Sequence, residues 1–384
     1  MKIMLETDGY RRIKAKALNY VHLCKVKTKP GLYAKWHDEQ NENFYGSYHA
    51  AHILDLFGEL EKFSANDLDL WADYFLEKQT DQGYFSFNPE DINRERCVEE
   101  LDSILHPTRG AIWTLRILGR NATKEFKFFE ELLDAKKLYN WIKSYDWSRP
   151  WKVSNQICAG ATILLAMRDW FGITEVDRIM EEGMYPALEE LQDEATGFWG
   201  THLGAPLTHG LYGTIHVAPI YFAQHWPLRA VEKNIDSTLQ CQEADGSFPE
   251  GINCPDFDGA YMITNLAKLT EYRRRDLEQA ARCCLENALM HEDLNGPGFL
   301  YYRRDKERST LKPEQWLEWG FSSGKRTLTP KWEEPSVKTH SILDSWFYPL
   351  SIGLVAEMLR NTGYEGPYNL NPMSLHECNV HINS

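Results

Sequence analysis

The feature that most limits what this chain can become is a turn that recurs. A glycine followed by aromatic or large apolar residues appears in Pro30-Gly31-Leu32-Tyr33, Gln82-Gly83-Tyr84-Phe85, Thr196-Gly197-Phe198-Trp199, Asp245-Gly246-Ser247-Phe248 and Pro297-Gly298-Phe299-Leu300. The glycines are 52, 114, 49 and 52 residues apart, and a degenerate copy, Tyr145-Asp146-Trp147-Ser148-Arg149-Pro150, divides the long gap. That makes six units of about fifty residues. A fixed period of this length marks units that cannot bury their apolar faces alone and do so on their neighbours.

Each turn is preceded by an amphipathic segment, at 12–24, 65–78, 129–143, 175–191, 228–240 and 276–290. These carry apolar residues at three- and four-residue spacing with charges opposite, the pattern of helices that show one face to water. The segments that follow the turns, at 47–57, 105–118, 155–170, 209–223, 258–269 and 340–359, are rich in Ala, Gly, Ile and Leu and poor in charge. Helices of that kind are buried on most sides. Strict alternation of six outer and six inner helices predicts an all-α fold, an (α/α)6 toroid in which a ring of inner helices sits inside a ring of outer ones. An open solenoid is the rival, but its repeats run to about 34–47 residues and need capping ends. One domain spanning 1–384 is expected, with a lid-like insertion at about 303–337 that contains Trp316, Trp319 and Trp332.

Composition narrows the partners. The net charge is −14 and no long basic run occurs, which argues against nucleic acid and anionic membrane surfaces. No stretch of about 18 apolar residues is present, so no transmembrane segment is expected. The apolar part of the first ten residues is too short for a signal peptide, and a cytoplasmic protein is expected. The eight cysteines show no Cys-x-x-Cys pair or framework spacing and read as reduced.

The starts of the six inner segments should converge on one mouth of the barrel. The polar and aromatic residues there are Tyr48, His49 and His52; Asp102, His106, Arg109 and Trp113; Asn155 and Gln156; His209, Tyr212 and His216; Asp256, Asp258 and Tyr261; and His340, Asp344 and Trp346. A scaffold needs only apolar inner faces, and a buried polar group left unpaired costs ~1–3 kcal/mol. Recurrence of such groups at corresponding places therefore points to a site. His49, His52, His106, Arg109, His209, Tyr212, His216, Asp344 and Trp346 are the expected substrate contacts. Asp258, Asp256, Tyr261 and His340 are the expected catalytic groups. Asp256 has an equally good structural reading, as a cap on the helix that follows.

The Gln-x-x-x-x-Gly-x-Phe/Trp turns resemble the QW-type repeats of the terpenoid cyclase and protein prenyltransferase superfamily, most closely at Leu239-Gln240-Cys241-Gln242-Glu243-Ala244-Asp245-Gly246-Ser247-Phe248. Weaker copies start at Leu76 and Leu191. The resemblance implies an α/α toroid. Within it, Pro255-Asp256-Phe257-Asp258-Gly259-Ala260 resembles the Asp-x-Asp-Asp motif of class II terpene cyclases, with Asp258 on the position of the proton-donating acid and Gly259 where the family has Asp. Asp258 and His340 also resemble the Asp and His of the prenyltransferase zinc site. The Cys position is Ala260, so that set is incomplete, although Cys254 stands nearby in sequence. No cofactor and no metal are expected.

The first functional expectation is thus a terpene-cyclase-like isomerase or lyase, in which Asp258 protonates an alkene or epoxide and aromatic walls stabilise the cation. The second is a carbohydrate-active (α/α)6 enzyme: a glycoside hydrolase, polysaccharide lyase or sugar epimerase using carboxylate or His/Tyr proton transfer with Arg109 on a carboxylate. Either takes a small-molecule substrate, isoprenoid or glycan. The third is a non-catalytic toroid that binds a partner in its centre and satisfies its mouth polar groups internally.

Overall fold

The structure, a computed structural model, describes residues 7–26, 31–86, 102–249, 253–301, 303–304 and 340–359. In chain order the helices are α1 (Thr7–Leu23), α2 (Phe44–Leu56), α3 (Ala65–Leu76), α4 (Asp102–Ile117), α5 (Ala135–Lys143), α6 (Pro150–Phe171), α7 (Val176–Ile179), α8 (Tyr185–Glu189), α9 (Leu207–Ala223), α10 (Val231–Cys241), α11 (Asn253–Leu266), α12 (Arg274–Met290) and α13 (Asp344–Met358). Among the described residues, β contacts are confined to isolated bridges in the turns. The all-α expectation holds.

The ring closes. Helix α2 packs on α4, α4 on α6, α6 on α9, α9 on α11, α11 on α13, and α13 returns to α2. Outside it, α1 packs against α13 and α2, α10 against α9 and α11, and α12 against α11 and α13. The burial pattern follows from composition. In α11 every residue except Cys254 is buried, whereas α5 buries only Leu138, Trp141 and Ile142 and turns its lysines outward. Helices α7 and α8 are one outer run interrupted by a π turn, Met180–Met184. Pro186 just beyond it has no N–H to continue an α ladder, and the wider turn accommodates that. Gly183 within it lies against the Ala135 backbone, where a Cβ would overlap.

The recurring turns have a shared physical device. Gln79 Nε2 donates to Gly83 O at 3.0 Å and to Lys124 O at 2.7 Å. Gln192 Nε2 does the same to Gly197 O (2.8 Å) and Arg229 O (3.1 Å), and Gln242 Nε2 to Gly246 O (3.3 Å) and Ala280 O (3.0 Å). One amide thus holds its own turn and ties it to the next unit. Gly83, Gly197 and Gly246 all have positive φ, and a Cβ on any of them would overlap the following unit at Glu125, Asn234 or Cys283. Glycine is required there for both reasons.

Two boundaries differ from the sequence reading. Helix α11 begins at Asn253, not 258, because Pro255 is tolerated in a first turn, where the N–H has no helical partner to lose. Helix α13 begins at Asp344, not 340; just before it Asp344 accepts the Ser341 N–H at 2.9 Å and its own N–H reaches Ser341 Oγ at 3.3 Å. The lid-like insertion at 303–337 lies outside the described residues apart from Arg303 and Arg304. Among the described residues no helix is long and apolar enough to cross a membrane.

Candidate active site

Two groups of side chains stand at the inner helices, and they differ in kind. The first comes from α2, α4, α6 and α9. On α4, His106, Arg109 and Trp113 follow one another at helical spacing on one face. Arg109 is 6% exposed, and its guanidinium carbon lies 4.6 Å from the Trp113 ring centroid. Its hydrogen bond to Asn155 O is long at 3.4 Å, and Nε has no partner. Among the described residues no carboxylate comes within 4.0 Å of it. The charge is therefore buried beside an aromatic face, a carbonyl and the Cys158 thiol, an arrangement that favours an anion supplied from outside.

Imidazoles surround this cation. Burial brings His52, His106 and His216 from the ordinary 6.5 to about 3, and the charge of Arg109 adds to the effect on His106 and His216. His49 is likewise held well below its usual value by burial, and His209 is lowered more mildly. At neutral pH these rings are uncharged. His216 Nδ1 lies 2.9 Å from Tyr212 O, so Nδ1 carries the proton and Nε2 keeps a lone pair. His106 Nδ1 lies 3.4 Å from Tyr45 OH, a hydroxyl pushed up to about 12 by burial. Tyr45 was not among the expected contacts; its place one helical turn before His49 was the available signal.

Aromatic rings close this side. Trp346 of α13 lies 5.0 Å from His52 and 5.3 Å from His49, centroid to centroid, and Tyr48 lies 4.5 Å from each imidazole. His52 Nε2, Trp113 Nε1, Asn155 Oδ1 and Gln156 Oε1 are buried without hydrogen-bond partners. The structure thus brings together His49, His52, His106, Arg109, His216 and Trp346, with His209 and Tyr212 beside Trp151 at the start of α6 and α9.

The second group comes from α11, α13 and the turns next to them, and here Asp256, His340 and Asp344 are hydrogen-bonded into the scaffold. Asp256 is not the cap of its own helix, which begins three residues earlier. Its Oδ1 accepts the Phe248 N–H at 2.8 Å and its Oδ2 accepts Asn287 Nδ2 of α12 at 2.7 Å. Asn287 in turn accepts from Arg303 at 3.0 Å, and Arg303 reaches Asp245. Asp256 knits a repeat turn to the next outer helix. His340 is held in a similar way. Its Nε2 lies 2.6 Å from Asp293 Oδ2, it forms an isolated bridge with Leu300, and its ring is 6.3 Å from those of Tyr20 and His37. It fastens the last unit to the first.

Asp344 is buried, and burial raises it to about 6 despite hydrogen bonds from Ser341 and from Asn253 Nδ2 at 2.6 Å. Those bonds join the starts of α11 and α13. Asp258 is 5% exposed, one turn after Cys254, whose thiol is pushed up by burial and by the charges of Asp258 and Asp344. Tyr261 is buried beside Phe257, which packs on Phe347. A Cβ at Gly259 would overlap the Phe248 ring, so the fourth Asp of the cyclase motif has no room here. The zinc set does not fit either. His340 is engaged with Asp293, and no metal-holding group of three or more His, Cys, Asp or Glu occurs among the described residues.

A cavity of about 240 Å3 among Gln192, Glu194, Arg229 and Ala230 lies at an outer turn, where Arg229 is ion-paired with Glu189 and Glu194. It does not belong to the inner-helix group.

Comparison with known proteins bears on the architecture. No curated protein matches the chain at a significant level. Two solved structures of the α-1,6-mannanase of Salegentibacter sp. HEL1_6, one of them an inactive variant in complex with α-1,6-mannotetrose, each share 11% identity over 91% of this chain and 99% of theirs, with a TM-score of 0.49. A likeness that weak says nothing about the chemistry here. The family model of the prenyltransferase alpha-alpha toroid domain matches residues 13–296, most of the chain and five of the six turns traced above. With the closed ring and the stapled turns, the chain belongs to the prenyltransferase α/α-toroid domain family.

Proposed function

We propose that the protein is a carbohydrate-active enzyme that moves a proton on a sugar bearing a carboxylate. The observation that carries this reading is Arg109, a buried guanidinium that no carboxylate of the described residues neutralises, set among uncharged imidazoles. A sugar carboxylate supplies the missing anion in a geometry that suits the planar fork of Arg. Pairing with Arg109 draws electron density from the carboxylate and acidifies the neighbouring C5–H. His216 Nε2, whose tautomer is fixed by the Tyr212 carbonyl, takes that proton. Burial and, less, the charge of Arg109 depress His216; the bound anion offsets the second of these and so raises its basicity when substrate is present. The Tyr45–His106 pair returns a proton. If it goes to the C4 oxygen, the C5–H electrons form the C4=C5 double bond and the C4–O bond breaks. If it goes to the opposite face of C5, the sugar is epimerised.

The isoprenoid reading is supported less. A carbocation would form beside a buried cation and beside imidazoles ready to remove its proton, and Gly259 leaves the cyclase motif incomplete. The partner-binding toroid calls for mutual satisfaction of the mouth groups; Asp256 and Asp344 have it, whereas His52 Nε2, Arg109 Nε and Gln156 Oε1 do not.

The test is exchange of C5 hydrogen with D2O, followed by NMR on mannuronate, guluronate, galacturonate and glucuronate oligomers. We expect exchange with at least one of them. Arg109→Gln should lower it by ~10²–10³-fold, and His216→Ala by the ~10²–10⁴-fold that general-base loss brings. Absence of exchange on all four, or a fully active Arg109→Gln protein, would sink the reading.

A further inference from the structure

Five residues at the starts of α6 and α9 have side chains that the proton-transfer scheme does not use, and they share a place next to it. Trp151 is half-buried, with its ring 5.1 Å from Tyr212 and 6.3 Å from His209. Tyr212 is buried, and its hydroxyl donates to Pro249 O at 2.7 Å, which pins the ring against the turn before α11. Asn155 and Gln156 follow on the next turn of α6. Their side chains are half-buried, yet Asn155 Oδ1 and Gln156 Oε1 are fully covered and accept no hydrogen bond. The backbone carbonyl of the same Asn155 is the group Arg109 reaches, at 3.4 Å. One residue therefore joins the Arg109 pocket to the Trp151 platform.

Two orphaned amide oxygens on successive residues are expensive to keep for packing alone, because each forfeits hydrogen bonds it would make in water. They suit a ligand that brings hydroxyl donors. The half-buried Trp151 indole, one helical turn before Asn155 on α6, offers a flat apolar face that suits the C–H face of a pyranose ring. The carboxylate-bearing sugar at Arg109 has no need of either feature.

We propose that Trp151, Asn155, Gln156 and His209 form a second sugar subsite adjoining Arg109, so that the substrate is an acidic oligosaccharide and not a single sugar acid. This rests on the carboxylate-sugar reading above. In the subsite one pyranose stacks on Trp151 and its hydroxyls donate to Asn155 Oδ1 and Gln156 Oε1. His209 borders the same ring.

Calorimetric titration of the intact protein with galacturonate, trigalacturonate, mannuronate and trimannuronate tests it. For the acid that binds, the trisaccharide should bind at least about tenfold more tightly than the monosaccharide. Trp151→Ala should remove most of that advantage and leave the monosaccharide dissociation constant within about twofold, whereas Trp151→Phe should keep most of it. Gln156→Ala should weaken the trisaccharide alone, by roughly three- to tenfold, and serves if Trp151→Ala does not fold. A wild-type protein indifferent to chain length, or a Trp151→Ala or Gln156→Ala loss equal for both sizes, overturns the subsite. Arg109-dependent binding of the monosaccharide would then still stand. Binding of none of the four overturns the carboxylate-sugar reading and the subsite with it.

Discussion

The two sides of the ring carry polar groups at corresponding places and use them in opposite ways. On α11 and α13, Asp256 and Asp344 accept bonds from Phe248, Asn287, Asn253 and Ser341, and His340 is held by Asp293. On α2, α4 and α6, His52 Nε2, Arg109 Nε, Trp113 Nε1 and Gln156 Oε1 are buried and make no bond. Position in a repeat is therefore no guide to role. A carboxylate next to a repeat turn can be recruited to hold the turn, because the turn leaves backbone N–H groups in need of an acceptor. A guanidinium or imidazole on a helix face away from the turns has no such use, and its lack of a partner is better evidence for a ligand.

The sharpest way to break this contrast is to remove one group from each side and read stability. Asp256→Ala strips a buried acceptor from Phe248 and Asn287 together and should cost ~3 kcal/mol in a denaturant titration. Arg109→Met should cost less than ~1 kcal/mol or stabilise, since it removes a buried charge that has no counter-ion. Equal losses would erase the distinction.

A second test uses acid. His52, His106 and His216 have folded values near 3 against an ordinary 6.5, so below pH 6.5 the unfolded chain binds protons that the folded chain refuses. Stability should fall as pH drops from about 6.5 towards 3, by ~1.4 kcal/mol per pH unit for each imidazole. Asp344, raised from 3.8 to about 6, runs the other way: between those values the folded state holds the proton, which stabilises on acidification and offsets part of one imidazole. The net slope should remain downward, and replacing His52 with Gln should make it shallower. A flat melting profile between pH 7 and 5 would mean that these rings titrate normally.

The smallest expected effect is the most discriminating for function. Asp258→Asn should lower turnover on a responsive uronate by less than about tenfold, whereas loss of an essential general acid brings ~10²–10⁴-fold. Turnover and melting temperature should be read from the same preparation, because a folding defect imitates lost chemistry.

Much of the ring was legible beforehand. Spacing of the glycine turns gave the number of units, and the contrast between amphipathic and apolar segments gave their order. Helix starts were less legible, because Pro255 and Ser341 begin helices by local geometry that a periodicity reading does not register. His49, His52, His106, Arg109, His216 and Trp346 could be named as a set because they recur on one face of the inner helices. Tyr45 could not, since a tyrosine beside Phe44 at a helix start reads as core until its hydroxyl is seen near His106.

What the sequence determined by itself is the architecture: a period near fifty residues with alternating burial leaves few solutions other than a closed ring of helix pairs. What only the tertiary structure decided is which polar groups are spoken for. Asp256 meets Asn287 from 31 residues away and His340 meets Asp293 from 47 away, while Arg109 meets no carboxylate of the described residues. Satisfaction of a buried polar group depends on atoms that the fold brings from distant units, and a list of residue types cannot reveal whether they arrive.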